Sequence, residues 1–320
     1  MMPKSNFLQK HSLILVVYSL VFVLITVGSI YSERFLTLRN LTNVLRQAAY
    51  LGTAALGEML VILTAGIDLS IGSLVKLSVL VSAILMDGNP DNVIMAVGWT
   101  LALGLGVGLL HDFFINELNL SPFVVTFASL FILQGISLTI TTKPIGRSSK
   151  DFLLLYSQKF FEVPIIVYFF GLVTLLIAFL LNMTVFGKHI YAVGGNPTVA
   201  ELSGIPVKKI RYGVYGICSL LAAVTGLLWL MRMGVGDPVI GKELELNAII
   251  AVVIGGTSLF GGRGTVTGVI GGVLLLTFTD NLLVVLGVNQ FVSGLVKGLI
   301  FVGAVALYKP NKGFYGSSIQ

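Results

Sequence analysis

The chain has 320 residues, of which 56% are hydrophobic and only 11% charged, and its mean hydropathy is +0.97. Soluble domains carry about 25% charged residues, so this composition excludes an ordinary soluble protein and indicates an all-α polytopic membrane protein. The formal charge of +6 does not imply nucleic acid. The basic residues gather at the ends of apolar runs, where topology and anionic headgroups account for them.

A spanning helix needs about 20 apolar residues. That ruler yields ten candidate spans, at 12–31, 44–65, 70–86, 93–110, 122–141, 164–183, 212–231, 247–260, 265–286 and 290–308. Lys4 and Lys10 precede the first run as they would in a signal peptide. No small-residue cleavage site follows before Glu33 and Arg34, so the run is expected to stay as a first helix. Ten spans with the N-terminus inside return the C-terminus inside as well. Lys and Arg divide evenly between the two sides of that arrangement, so charge does not decide its orientation.

Gly66-Ile67-Asp68-Leu69-Ser70-Ile71-Gly72-Ser73 interrupts the second and third apolar runs, and Gly255 to Gly264 interrupts the eighth and ninth. Both put glycines and a serine inside an apolar stretch. Low complexity or an internal repeat of two five-helix halves would each produce this echo. Broken backbone at membrane depth is tolerated only where it is enclosed by protein or lines a watery path. Asp68, Ser70, Gly255, Gly256, Thr257 and Ser258 are therefore candidate translocation-path or gate residues, with close packing as the alternative role. Charges inside spans are costly and point to function or pairing. Glu58 and Asp280 are candidate ion-pair partners for Lys76 and Lys297.

The interval 142–163 is a long loop with an amphipathic run from Phe152 to Tyr156. The longest polar interval, Gly187 to Arg211, contains Lys188, Lys208, Lys209 and Arg211. Its middle predicts a short helix over Pro197–Ser203. Asn196 suits the N-cap and Pro197 the first position, and Gly204 and Pro206 stop the helix. Such a loop is either a solvated connector or the element that receives a push from a partner.

Further on, Gly236 to Glu243 nearly matches the phosphate-binding pattern G-x-x-x-x-G-K-[ST]. It ends on Glu243, where magnesium needs a hydroxyl, and no strand precedes it. The expectation is that this chain binds no ATP itself. No catalytic motif stands out, the three histidines lie far apart in sequence, and Cys218 is the only cysteine. No metal site, cofactor or enzymatic activity is expected.

In order, the chain carries Phe35-Leu36-Thr37-Leu38-Arg39-Asn40-Leu41, then Gly66 to Ser73 and Pro122-Phe123-Val124-Val125-Thr126. Tyr191-Ala192-Val193-Gly194-Gly195-Asn196 and Leu202-Ser203-Gly204-Ile205 follow. The last marks are Glu245-Leu246-Asn247-Ala248-Ile249 and Val253 to Gly264. This series resembles the permease subunits of bacterial ribose-type (simple-sugar) ABC importers from about Phe35 to Leu307.

The resemblance implies one permease domain over 1–320 in the bacterial inner membrane, with both termini cytoplasmic. It implies a second permease subunit, identical or homologous, and two ATPase subunits or one double ATPase. It also implies an extracytoplasmic sugar-binding protein. The loop at about 187–211 would dock the ATPase, with Gly194, Gly195, Asn196, Glu201 and Gly204 in the matching positions. Three places depart from the family pattern: Glu58 in a span, the stretch Leu110–Asn116, and Pro197 at the start of the docking helix. The rival readings are a branched-chain amino acid permease, an ion-coupled transporter using Asp68, Lys76 or Lys297, and, more weakly, a membrane-embedded enzyme.

Overall fold

A computed structural model describes residues 7–241 and 243–307. Of the basic residues that divide between the two sides, Lys4, Lys242, Lys309 and Lys312 lie outside the described residues, and Lys242 also belongs to the Gly236–Glu243 near-motif.

Each predicted span is represented by a helix. In chain order these are α1 (Phe7–Tyr31), α2 (Leu38–Leu63), α3 (Ile71–Met86), α4 (Val93–Asn116) and α5 (Pro122–Ile140). A lateral helix α6 (Lys150–Ser157) and a hairpin β1 (Lys159–Phe160) and β2 (Val163–Pro164) lead into α7 (Ile165–Met183). Then come α8 (Val185–Gly195), α9 (Pro197–Leu202), α10 (Val207–Met233), α11 (Leu244–Ile254), α12 (Val266–Val285) and α13 (Gln290–Leu307). Six of the described helices are long and apolar enough to cross a membrane by themselves. α3 and α11 are shorter apolar helices, each adjoining a stretch of non-helical backbone.

α2 is the central post. It is buried without interruption from Ala48 to Leu63, because its small residues (Ala48, Ala49, Gly52, Ala54, Ala55, Gly57) let neighbouring backbones approach from every side. α10 and α12 are mostly enclosed, whereas α1, α4, α5 and α7 leave most of their apolar surface open, as peripheral spans facing lipid do. α10 packs against α2, α3 and α4, and α1 lies along α12. The Tyr18 hydroxyl adds a hydrogen bond to the Thr267 carbonyl at 3.0 Å.

The connections gather at two ends. At one, Gly88 N–H donates to the Arg147 carbonyl, and Ile145 bridges Gly236. There Asn40 on α2 and Asn281 on α12 exchange side-chain hydrogen bonds at 2.8 Å in both directions. At the other end lie the break after α2, the α4–α5 turn, α8 with α9, and the break after α11. Lys208 Nζ meets Glu117 there at 2.9 Å, and Thr126 Oγ1 donates to the Ile67 carbonyl.

Three expectations change. The polar interval 187–211 is mostly helical, because Thr184 caps α8 through Gly187 N–H and Val207 already begins α10. Only residues 196–206 form the connection, with α9 inside it. The eighth span lies earlier than expected, at Leu244–Ile254, because Gly255 and Gly256 end the helix and the chain stays irregular to Thr265. Finally, Asp280 pairs with Lys297 at 3.0 Å as expected, but Glu58 does not pair with Lys76. The Glu58 carboxyl meets Asp68 instead, while Lys76 lies in the field of Glu245, whose carboxyl abuts Gly72 one turn before it.

Candidate functional site

α9 is built by local chemistry. The Asn196 side chain accepts from Val199 N–H at 3.0 Å, which fixes its start. At its far end Gly204 adopts a left-handed conformation with φ of +81°. Gly204 N–H then donates to the Glu201 carbonyl and Ile205 N–H to the Ala200 carbonyl, the paired closure that a left-handed residue permits. Ala200 is the one buried residue of the helix. Val199, Glu201 and Leu202 face outward, and Leu202 is 84% exposed. An apolar knob flanked by an acid on a doubly capped helix is a shape that a partner surface can grip.

Behind this helix three backbones interlock. Gly194, in the last turn of α8, is buried against the Leu63 carbonyl, and a Cβ there would run into that oxygen. The same carbonyl accepts from Gly262 N–H at 2.9 Å. Gly261 and Gly262 hold φ of +81° and +70° and pass close to Ala65 and Gly195. The Tyr191 phenol, which burial pushes above its ordinary pKa, donates to the Gly264 carbonyl at 3.0 Å. The end of α8, the end of α2 and the break between α11 and α12 therefore meet at one point. Gly195 and Asn196 stand exposed beside it.

The two broken stretches are neighbours across this joint. In the first, Ala65 turns the chain with φ of 62°. Asp68 Oδ1 then accepts from both Ser70 N–H (2.9 Å) and Ser70 Oγ–H (2.7 Å), which secures the entry to α3. In the second, Ser258 Oγ accepts from Phe260 N–H at 3.2 Å, and Ser258 N–H donates to the Arg263 carbonyl. Thr257 Oγ1 has no hydrogen-bond partner. Asp68, Ser70, Thr257, Ser258 and Gly255 are buried and Gly256 is half-buried. The candidate path residues are thus brought to two adjoining breaks, inside the packed chain rather than along an open passage.

A family model described as the permease component of branched-chain amino acid transport systems matches residues 40–305. The ribose import permease RbsC of Escherichia coli K12 is 37% identical over 288 residues, covering 88% of this chain and 89% of that protein. Its Bacillus subtilis counterpart is 35% identical and covers 89% of each chain. This chain belongs to the ribose-type permeases of ABC importers. The D-allose transport permease AlsC of Escherichia coli is also similar, 34% identical over 88% of this chain and 86% of that protein. No solved structure matches.

Membership makes the chain a transport subunit and a multi-pass membrane protein, of a kind that works with an ATPase and a substrate-binding protein. A ribose-type permease is also consistent with the failed phosphate-binding motif at Gly236–Glu243. The sequence marks Gly194 as a docking-loop residue and Gly262 only as part of the Val253–Gly264 stretch, and it does not show the Leu63 carbonyl on which both converge.

Proposed function

We propose that the chain is the membrane-spanning half-channel of an ATP-driven, binding-protein-dependent importer for a simple sugar. α9 is its ATPase-docking element. The observation that carries this reading is the joint behind α9, where a push on the docking helix reaches the Leu63 carbonyl through Gly194. From there it reaches both broken stretches at once. Asn196 and Gly204 keep the lever rigid, and Glu201 with Leu202 forms its contact surface. Gly195 leaves room beside the joint.

On this reading residues 1–320 form one permease domain with ten spans in the bacterial inner membrane, and both termini and the 187–211 region face the cytoplasm. The two broken stretches correspond to each other in two five-helix halves. A second permease, identical or homologous, completes the channel. Asp68, Ser70, Gly255, Gly256, Thr257 and Ser258 then shape the gate by moving with the breaks. Two ATPase chains or one double ATPase supply hydrolysis, so the permease needs no catalytic residue, cofactor or metal. The relatives named for ribose and D-allose support a sugar over a branched-chain amino acid.

Affinity purification of the tagged chain from its native membrane tests the assembly. A co-purifying ATPase carrying a phosphate-binding loop is expected, lost or weakened in Glu201→Arg. Purification of the chain alone under conditions that preserve membrane complexes would overturn it.

A further inference from the structure

Two of the three departures from the family pattern meet inside the bundle. Glu58 lies in the last two turns of α2 and His111 on α4, and both approach Asp68 in the broken stretch between α2 and α3. Glu58 is fully buried; its Oε1 accepts from Asp68 N–H at 3.2 Å and its Oε2 has no partner. Asp68 Oδ2 lies 3.8 Å from His111 Nδ1 and 3.8 Å from Cys218 Sγ. The His111 ring is held at its other edge, Nε2 to Ser129 Oγ at 2.7 Å, while its Nδ1 has no hydrogen-bond partner and is buried. The Tyr215 hydroxyl, also buried without a partner, abuts Gly66 at the start of the same stretch.

Asp68, Tyr215 and Cys218 are the titratable groups whose fields reach Glu58, and His111 and Arg211 act on the cluster through Asp68 and Tyr215. Among the described residues no lysine or arginine forms an ion pair with Glu58 or Asp68, and no donor set there suits a metal ion. An ionised carboxylate buried without a partner is so costly that the group takes up a proton instead. Two carboxyls that share one site do not both ionise. The hydrogen bonds decide between them. Asp68 Oδ1 accepts two donors from Ser70, at 2.9 and 2.7 Å, whereas Glu58 accepts one amide bond at 3.2 Å and has a bare oxygen, so Glu58 is the carboxyl left short of partners.

We propose that this cluster is a proton-binding site, with the proton held on Glu58 beside Asp68 and His111. The proton lets the 66–70 strap stay packed between α2, α4 and α10. This goes beyond the importer reading and stands apart from it, because the proton is read on the purified chain whatever drives transport.

Infrared spectroscopy of the purified full-length permease at neutral pH tests the site. The wild-type minus Glu58→Gln difference spectrum is expected to show a carboxylic-acid C=O band that shifts in heavy water. Should the amide variant fail to fold, Glu58→Met, which fills the same space without a polar atom, provides the subtraction. A difference spectrum with no such band, or a wild-type spectrum without any carboxylic-acid band, would overturn the proposal.

Discussion

Gly194 and Gly195 are adjacent at the end of α8, yet the structure predicts opposite responses to the same substitution. In Gly194→Ala the new methyl meets the Leu63 carbonyl and the neighbouring Gly262 amide, both backbone atoms with no freedom to rotate away. Overpacking of this kind costs about 1–3 kcal/mol, and displacing the Gly262 N–H to Leu63 carbonyl bond of 2.9 Å adds about 0.5–1.5 kcal/mol. The gain from replacing glycine by alanine in a helix is at most about 1 kcal/mol. The balance is a destabilisation of about 1–3 kcal/mol. Gly195→Ala meets nothing within 4 Å, so it retains only the small helical gain. Thermal unfolding of both variants in the same detergent, read as the fraction surviving size-exclusion after heating, separates the cases. Gly194→Ala should unfold at a clearly lower temperature, with Gly195→Ala level with or above the parent. Equal behaviour would refute the interlock of α8, α2 and the second break.

Other outcomes follow from the same contacts. Asn196→Ala removes the cap that Val199 N–H donates to, about 1 kcal/mol from the start of a six-residue helix; ATP-coupled uptake should fall while binding-protein attachment in a pull-down stays intact. Gly204→Val forces a branched side chain into φ of +81°, and uptake should be uncoupled from hydrolysis in the same assay. Asn281→Leu strands Asn40 without its reciprocal partner, costing about 1–3 kcal/mol; in thermal unfolding the Asn40→Leu/Asn281→Leu pair should cost less than the sum of the two single changes. Lys297→Met removes the cation 3.0 Å from Asp280 and should lower the yield of folded protein, which Asp280→Asn in the same chain restores.

Local chemistry was legible in the sequence and spatial assembly was not. α9 could be read before the structure, because an Asn cap, a Pro at the first position and a Gly stop act within a few residues of one another. The apolar spans were equally plain from length. The eighth was misplaced because hydrophobicity runs on through Gly255–Phe260, where the glycine backbone has already left the helix. Glu58 was expected beside a lysine. It met Asp68 because the turn at Ala65, a non-glycine residue with φ of 62°, folds the strap back along α2, and no pattern in the sequence announces that turn. His111 stood far from Asp68 in the chain, and only the packing of α4 against α3 and α10 brings them together. Charge counting failed on orientation for a simpler reason, since the basic residues are shared evenly between the two ends.

Uptake into proteoliposomes containing this permease, its partner permease, the ATPase and the binding protein addresses the central claim most directly. Sugar accumulation that requires internal-face ATP, survives collapse of all ion gradients and disappears in Glu201→Arg is the predicted result. Accumulation by this chain without the ATPase, driven by an ion gradient and unaffected by Glu201→Arg, would contradict it.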